Sequence, residues 1–382
     1  MRVLFVSLNE ALWGGSEVLW SNAATEMARR GHRIHAFFPY FKDIEETRLL
    51  QRGGCELNFG TRPPTRWWKR LASPWGPPRA RFVETLTQVS PDIVIFSQGA
   101  FRDCLVEMAT CHNRQIPYAV INQLTEPTGC ADDTQSAARA VFSNAGRVWF
   151  VSRDNLDRAL RFLAMPLPNA AVIPNAYAGE FEPSISWPES DHPLRLAVVA
   201  RLDPIQKGQD MLIDVLEQKP WRTRELQISF FGEGDARESL AQRCRHAGIS
   251  SVTFAGTAAT PKEIWKSHHG LILSSRYEGQ SLSMIEAMLH GRPVIALPVG
   301  GTDGVVLDGE TGFLADRIDA VGLASTMERA WTARSSFRQL GEKAAKHIRT
   351  IVWRDPGAEM ANRLEALATE NLATMHSDRL PL

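Results

Sequence analysis

Serine side chains, glycines and the backbone amides of one predicted helix start lie close together in the stretch 274–301. Ser281 stands in the N-cap position of that helix, after an apolar strand and a loop that contains Gly279. The first amides of the helix, from about Leu282 and Ser283, have no intrahelical partner and carry the positive end of the helix dipole. Because a glycine lets a ligand approach the loop backbone, this spacing is typical of an anion-binding site.

Two carboxylates flank this predicted anion site, Glu278 in the loop and Glu286 one turn into the helix. A carboxylate repels a phosphate, but it accepts hydrogen bonds from sugar hydroxyls. The pattern therefore suits a ligand with a phosphate in its middle and hydroxyls at both ends, such as a sugar nucleotide. Either glutamate taken alone is also explained by a solvated helix surface.

Two further strand ends carry groups of the same kind. Arg201 and Lys207 lie six residues apart on either side of a turn, and both side chains can bind phosphate oxygens. Gly232 follows another apolar strand, where the backbone must pass close to something. Surface charge or a tight turn explains each feature singly. Because open α/β sheets bind ligands at the carboxyl ends of their strands, the three strand ends together favour one site.

The elements that must position these residues alternate between strand and helix. A strand at 3–6, a loop with Gly14 and Gly15, a helix at 16–30 and a strand at 34–38 form a βαβ unit. The loop lacks the G-x-G-x-x-G dinucleotide fingerprint, so a tight turn explains the two glycines as well as a ligand contact does. The continued alternation predicts doubly wound parallel sheets with right-handed crossovers.

Length and punctuation predict two domains. A chain of 382 residues exceeds one ordinary core. A proline-rich stretch without periodicity at 174–193 indicates an interdomain linker. We therefore expect an N-terminal domain at 1–180, a C-terminal domain at 193–350 and a final helix at about 355–368.

Composition excludes several classes of protein. Lysine plus arginine equals aspartate plus glutamate, 43 against 43, so charge gives no reason to expect nucleic acid as a partner. The five cysteines are scattered without a C-x-x-C motif, which is typical of free thiols in a reducing compartment. No run of 18 apolar residues occurs, and we expect a cytoplasmic protein.

The segment 62–81 differs from the rest of the chain. It carries six basic residues, no acidic ones and three tryptophans among several prolines. Basic groups mixed with tryptophan suit an anionic membrane face or a lipid-phosphate acceptor, which would place the protein at the inner membrane surface. A surface loop whose arginines and tryptophans pack on the domain is the alternative explanation.

Four motifs in order resemble those of the family 4 (GT4) retaining glycosyltransferases. They are ARLDPIQKGQD at 200–210, FFGEG at 230–234, SRYEGQSLSMIEAMLHGRPVIA at 275–296 and GGTDGVVLDGETGFL at 300–314. The resemblance implies the GT-B fold, in which two Rossmann-like domains face each other across a cleft. It also implies that the first domain recognises the acceptor, that the second binds the nucleotide-sugar donor, and that the final helix packs back on the first domain.

The resemblance also implies roles for individual residues. Arg201 and Lys207 match the cationic pair that holds the donor diphosphate, and the amides of 281–283 match the loop that meets the phosphate. Glu278 and Glu286 match the ends of the E-x7-E motif, of which the first reaches the transferred sugar and the second the nucleotide ribose. Arg201, Lys207 and Glu278 are therefore the expected catalytic residues.

One position departs from the family pattern. Many members carry a histidine that contacts the donor sugar at the end of the strand where this chain has Gln123. A glutamine can hydrogen-bond a sugar or an acceptor, but it is neither an acid nor a base near neutral pH.

The expected function is transfer of a sugar from a nucleotide-diphosphate donor to an acceptor hydroxyl, with retention of anomeric configuration. No D-x-D triplet occurs, so neither a metal ion nor another cofactor is expected. The expected setting is polysaccharide, glycolipid or other glycoconjugate synthesis, with a lipid-linked or polyanionic acceptor. A sugar-nucleotide epimerase, a phosphorylase or synthase working towards free sugar, and a catalytically silent sugar-nucleotide-binding protein remain alternatives.

Overall fold

The computed structural model describes residues 1–9, 13–60, 78–126 and 132–377. The chain divides into two compact units, one formed by Met1–Ala176 with Asp355–Leu382 and the other by Tyr177–Arg354. No helix in the described ranges combines the length and the apolar character that a membrane crossing requires. The tryptophan- and arginine-rich segment is, up to residue 77, outside the described residues, so its predicted membrane contact stays a prediction.

The first unit is built on a parallel sheet of seven strands in the order β3-β2-β1-β4-β5-β6-β7. Its elements are β1 (Arg2–Ser7), α1 (Gly15–Arg29), β2 (Arg33–Phe38), α2 (Glu45–Arg52), β3 (Cys55–Phe59), α3 (Pro78–Val89), β4 (Ile93–Gln98), α4 (Leu105–Asn113), β5 (Tyr118–Asn122), α5 (Asp132–Ser143), β6 (Arg147–Phe150), α6 (Arg153–Leu163) and β7 (Ala170–Val172). The central strands β1 and β4 are nearly continuous apolar runs, because a parallel sheet covered by helices is buried on both faces.

The chain ends in the first unit with a long helix, observed at Pro356–Ser377 and here called α15. It packs along α1, and its Glu365 accepts hydrogen bonds from Arg30 at 2.9 Å and contacts the His32 ring at 2.8 Å. Met360 and Leu364 are fully buried. The last helix is thus an integral part of the first unit.

The second unit holds a parallel sheet of six strands in the order β10-β9-β8-β11-β12-β13. Its elements are β8 (Leu194–Val199), α7 (Pro204–Lys207), α8 (Gln209–Leu216), α9 (Lys219–Arg222), β9 (Leu226–Phe231), α10 (Arg237–His246), β10 (Val252–Gly256), α11 (Pro261–Trp265), β11 (Gly270–Leu273), α12 (Leu282–Leu289), β12 (Val294–Ala296), β13 (Gly312–Leu314), α13 (Ala320–Thr332) and α14 (Phe337–Ile351).

Strand order determines which loops of this sheet meet. The chain runs outward from β8 through β9 to β10, then returns to β11 beside β8 and runs outward the other way. The loops after β8 and β11 therefore leave neighbouring strands in opposite directions, which opens a crevice at the carboxyl edge of the sheet. These are the two loops that carry the predicted cationic pair and the first glutamate.

The proline-rich stretch predicted as a linker, 174–193, lies mostly on the second unit. Tyr177 is buried in that unit's core, and Trp187 packs against its edge. The buried guanidinium of Arg292 donates a hydrogen bond to the carbonyl of Ser186 at 2.9 Å. Prolines prevent regular structure here, but the aromatic side chains still anchor the segment.

Candidate functional site

The loop after β8 forms a single helical turn, α7. Asp203 caps this turn by accepting a hydrogen bond from the amide of Gln206 at 3.4 Å, and Pro204 occupies its first position. Gly208 ends it with a φ of +64°, and a Cβ there would lie 2.0 Å from the carbonyl oxygen of Ser274. Glycine is therefore required, because the chain passes directly against the loop after β11.

Lys207 and Glu278, the predicted phosphate-binding cation and sugar-binding carboxylate, are in direct contact. The lysine Nζ lies 2.6 Å from Oε1 of Glu278, and the hydroxyl of Ser275 donates to the same oxygen at 2.7 Å. Only 15% of the lysine side chain and 9% of the glutamate side chain are exposed. The two charges compensate each other, and Glu278 is already oriented before any ligand arrives.

Gly300, after β12, packs directly against Glu278. Its φ is +52°, and a Cβ at this position would lie 2.3 Å from the Cβ of Glu278. Neither Gly300 nor Ser275 is among the site residues that sequence reasoning selected. The resemblance covered both positions, but only the packing shows that they orient the carboxylate.

Arg201 lies at the start of the same loop as Lys207, but its own contact is different. Its Nη2 donates to the side-chain oxygen of Gln206 at 2.9 Å, and 63% of its side chain is exposed. The buried side-chain amide of Gln209 donates a hydrogen bond from Nε2 to the main-chain carbonyl of Arg201 at 2.7 Å. The main chain is therefore held firmly, while the guanidinium stays accessible to a ligand.

The backbone conformation and close packing at position 232 require a glycine. Its φ is +127°, and a Cβ there would lie 2.1 Å from the carbonyl oxygen of Ala200. The close approach inferred from the sequence is thus to the neighbouring strand end. A contact between Gly232 and the donor stays a prediction, as it does for the buried Gly279.

Helix α12 begins as the sequence predicts. The hydroxyl of Ser281 accepts from the amide of Met284 at 3.4 Å, and it lies 2.9 Å from the hydroxyl of Ser283. Leu282 is the first helical residue, and Gly291 follows the last turn with a φ of +71°. The predicted N-cap is confirmed, and Gly291 supplies the left-handed conformation that ends the helix.

Glu286 is buried on the same helix. Its Oε1 accepts a hydrogen bond from the amide of Ala178 at 3.0 Å. Burial raises the pKa of this carboxyl to about 7, although the Ala178 hydrogen bond opposes the shift. A carboxyl with this pKa changes charge near neutral pH, so hydroxyl donors would bind its ionised form better.

In the first unit, the glycine loop after β1 is organised by a buried glutamate. Glu17 accepts hydrogen bonds from the amide of Gly14 at 3.0 Å and from the hydroxyls of Ser7 and Ser16 at 3.0 and 2.7 Å. Gly15 is the first residue of α1, and Gly14 has the extended φ of −157°. Helix capping therefore accounts for this turn, and the ligand contacts of both glycines stay predictions.

Gln123 lies just after β5 and is 6% exposed. Its main chain is paired, with the amide donating to Gln98 at 3.0 Å and the carbonyl accepting from Asn155 at 3.1 Å. Neither atom of its side-chain amide has a hydrogen-bond partner in the part of the chain that the structure describes. A buried donor and acceptor without partners are costly, and a ligand hydroxyl would satisfy both.

Residues 193–333, which include the Lys207–Glu278 contact and α12, match the family model described as Glycosyl transferases group 1. The second unit contains a group 1 glycosyltransferase domain. The resemblance to the GT4 enzymes is thereby confirmed over this domain. Among the described residues, no group of three or more histidine, cysteine, aspartate or glutamate side chains is arranged to hold a metal ion.

Curated relatives share this domain. The chain is 27% identical over 152 residues to a poly(ribitol-phosphate) alpha-N-acetylglucosaminyltransferase of Staphylococcus aureus, covering 39% of this chain and 31% of that protein. It is 28% identical over 255 residues to a GDP-mannose-dependent alpha-(1-6)-phosphatidylinositol monomannoside mannosyltransferase of Mycolicibacterium smegmatis, covering 60% and 65%. The chain thus spans less than two thirds of the length of either relative.

A structural likeness extends beyond the group 1 domain. The protein HepE of Anabaena, solved in complex with UDP and glucose, superimposes with a TM-score of 0.75 at 18% identity. The match covers 96% of this chain and 99% of HepE. At this identity the likeness shows the fold, and it confirms the predicted class, two Rossmann-like α/β units of the GT-B type.

Proposed function

We propose that this protein is a retaining glycosyltransferase that moves a sugar from a nucleotide-diphosphate donor to an acceptor hydroxyl without a metal ion. The observation that carries the proposal is the buried contact between Lys207 and Glu278, joined at 2.6 Å from the two loops that flank the crevice of the group 1 domain. A cation for phosphate and a carboxylate for sugar hydroxyls are thereby adjacent, as a sugar diphosphate requires.

Transfer needs no nucleophile from the protein. The bond between the anomeric carbon and the diphosphate oxygen breaks, the acceptor oxygen bonds to the same face of that carbon, and the hydroxyl proton passes to the leaving diphosphate. Lys207, Arg201 and the first amides of α12 would stabilise the charge that grows on the diphosphate. Because Glu278 is held by Lys207 and Ser275, it suits orientation of sugar hydroxyls better than covalent attack.

Glu286 and Gln123 each have a ligand contact in this proposal. The Glu286 carboxylate would accept hydrogen bonds from the ribose hydroxyls, beside the amide of Ala178 that already donates to it. The unpartnered amide of Gln123 would pair with a hydroxyl of the donor sugar or of the acceptor. Gly14 and Gly15, in the loop after β1, would also contribute to donor binding.

The acceptor that we propose is polyanionic or lipid-linked, in glycoconjugate synthesis. The names of the two curated relatives, which act on poly(ribitol-phosphate) and on a phosphatidylinositol mannoside, support this acceptor class. We place the reaction in the cytoplasm, because cysteines 55, 104, 111 and 244 are buried free thiols suited to a reducing compartment. Contact with the inner membrane face would come from the basic, tryptophan-rich segment 62–81.

A thermal-shift screen against UDP-, GDP- and ADP-sugars tests the donor class, since a ligand of the folded state raises its apparent stability. Incubation of the stabilising donor with candidate acceptors, with and without a chelator, then reports transfer, and NMR of the product reports the anomeric configuration. Transfer with retention that survives the chelator is expected. An inverted product contradicts retention, and chelator-sensitive transfer contradicts metal independence.

Product analysis of the same incubations separates the competing functions. An epimerised nucleotide sugar formed without acceptor would indicate an epimerase, and net formation of free sugar would indicate a phosphorylase or synthase. Binding without any turnover would indicate a silent sugar-nucleotide-binding protein. Each of these outcomes overturns the transferase proposal.

A further inference from the structure

Arg276 connects the two loops of the candidate site. Its guanidinium donates two parallel hydrogen bonds to the carboxylate of Asp210, at 2.8 Å from Nη1 and 2.9 Å from Nη2. The same Nη1 donates to the carbonyl of Pro204 at 2.5 Å, and the main-chain amide donates to the carbonyl of Gln206 at 2.8 Å. Arg276 therefore makes four hydrogen bonds to the short segment that contains Lys207.

These contacts hold the main chain on either side of Lys207. The hydroxyl of Ser274 donates to the Lys207 carbonyl at 2.8 Å, and Arg276 binds the carbonyls of residues before the lysine. Lys207 and Glu278 are 71 positions apart in the chain, yet their side chains meet at 2.6 Å. A contact this short depends on the register of the two loops, and Arg276 is the long side chain that spans them.

The chemistry of the Arg276–Asp210 pair suits a positional role. A guanidinium fork on a carboxylate fixes direction as well as distance, which the point charge of a lysine does not. About a third of each side chain is exposed, so the pair is partly solvated and adds little to stability by charge alone. Partial burial raises the pKa of Asp210, but the hydrogen bonds from Arg276 and the Met211 amide outweigh it and leave the pKa lowered.

We propose that Arg276 is a positioning residue, which holds Lys207 against Glu278 and so keeps the cation aligned with the donor diphosphate. This role rests on the proposed function. Arg276 itself does not need to touch the substrate. Because misplacement of a catalytic group by about 1 Å costs on the order of a hundredfold in rate, loosening the loop would lower kcat more than it raises KM for the donor.

The test compares Arg276→Gln and Asp210→Asn with a matched control, Arg224→Gln. Arg224 likewise donates two hydrogen bonds to one carboxylate, that of Glu328, at 2.8 and 2.7 Å, and it also stacks on Trp221. It precedes β9, at the amino-terminal edge of the same sheet and away from the two loops of the site. We expect kcat to fall by roughly 10- to 100-fold in the first two variants. The control should stay within about twofold of the wild type.

A double-mutant cycle with Lys207→Ala separates positioning from a general structural effect. If Arg276 acts through the lysine, Arg276→Gln should change the residual rate of Lys207→Ala by less than about threefold, although it costs far more in the wild type. Additive losses, or a loss equal to that of Arg224→Gln, overturn the proposal. If Arg276→Gln does not fold, Asp210→Asn enters the cycle in its place.

The two proposals fail in distinguishable ways. A wild-type protein that transfers no sugar from any nucleotide donor overturns the proposed function and this role with it. A wild-type protein that transfers sugar normally, with an Arg276→Gln variant of unchanged kcat, overturns the positioning role alone.

Discussion

The contact between Lys207 and Glu278 allows the strongest prediction about this protein. Replacing the lysine by methionine leaves a carboxylate whose side chain is only 9% exposed, with a single hydroxyl donor from Ser275. Breaking a buried ion pair by removing one partner costs about 3–5 kcal/mol, because the remaining charge is neither solvated nor paired. At ~2–4 °C per kcal/mol for a unit of this size, the unfolding midpoint should fall by about 6–20 °C.

A second variant also removes the unpaired negative charge of Glu278. In Lys207→Met with Glu278→Gln, the amide keeps a partner in Ser275 and no uncompensated charge is buried, so we expect most of the lost stability to return. Sugar transfer should not return, because both variants lack the cation that stabilises the leaving diphosphate, and each should be at least ~100-fold slower than the wild type. Stability and activity thus separate in one pair of proteins.

Calorimetry of the unfolding transitions, together with a donor-turnover assay, measures both quantities. Lys343→Met is the control, since Lys343 is exposed on α14 and its loss should change stability by less than about 0.5 kcal/mol. An unchanged midpoint in Lys207→Met would refute the buried pair. A double variant no more stable than the single one would refute the uncompensated charge as the cause.

Three further predictions concern buried polar groups. Burial raises the Glu286 pKa to about 7, and ribose hydroxyls bind the carboxylate, so nucleotide affinity of the wild type should decline below pH 7. Glu286→Gln should weaken nucleotide binding and abolish this decline. Calorimetric affinities that stay equal at pH 6 and pH 8 in both proteins would contradict this. Gln123→Leu removes two buried side-chain atoms that have no hydrogen-bond partner among the described residues. It should therefore stabilise the protein by about 1–3 kcal/mol while reducing sugar transfer. A less stable, fully active variant would contradict this. Burial lowers the pKa values of His268, His269 and His290, so at acidic pH the unfolded chain binds more protons than the folded protein. The free energy of unfolding should therefore fall as the pH drops below 6.5. Equal denaturant midpoints at pH 7.5 and 5.5 would count against this.

Much of the local structure follows from the sequence because it depends on neighbours in the chain. The apolar runs at β8, β9 and β11 and the serine N-cap of α12 occur as predicted. Helix α2 and strand β3 were not predicted. Strand β3 lies at the sheet edge with only Cys55 fully buried, so it lacks the apolar run that reveals a central strand.

The motif spacing also predicts which residues bind the donor, and these assignments stay predictions. Glu278 and Glu286 are the two ends of a motif with seven residues between them, and the family resemblance implies their roles. The resemblance did not reveal that Glu278 is paired with Lys207. Nor did it reveal that Glu286 accepts a hydrogen bond from the amide of Ala178, a residue 108 positions earlier in the chain. Both contacts depend on long-range packing, and burial in the same packing raises the pKa of Glu286.

The sequence by itself determined the alternation of strand and helix, the capping of α12 and the types of groups at each strand end, since these depend on periodicity and local hydrogen bonding. The tertiary structure alone decided that Lys207 meets Glu278, that Gly300 supports it and that Arg276 holds the two loops together. Such contacts join residues that are far apart in the chain, and only the strand order of the sheet brings them within hydrogen-bonding distance.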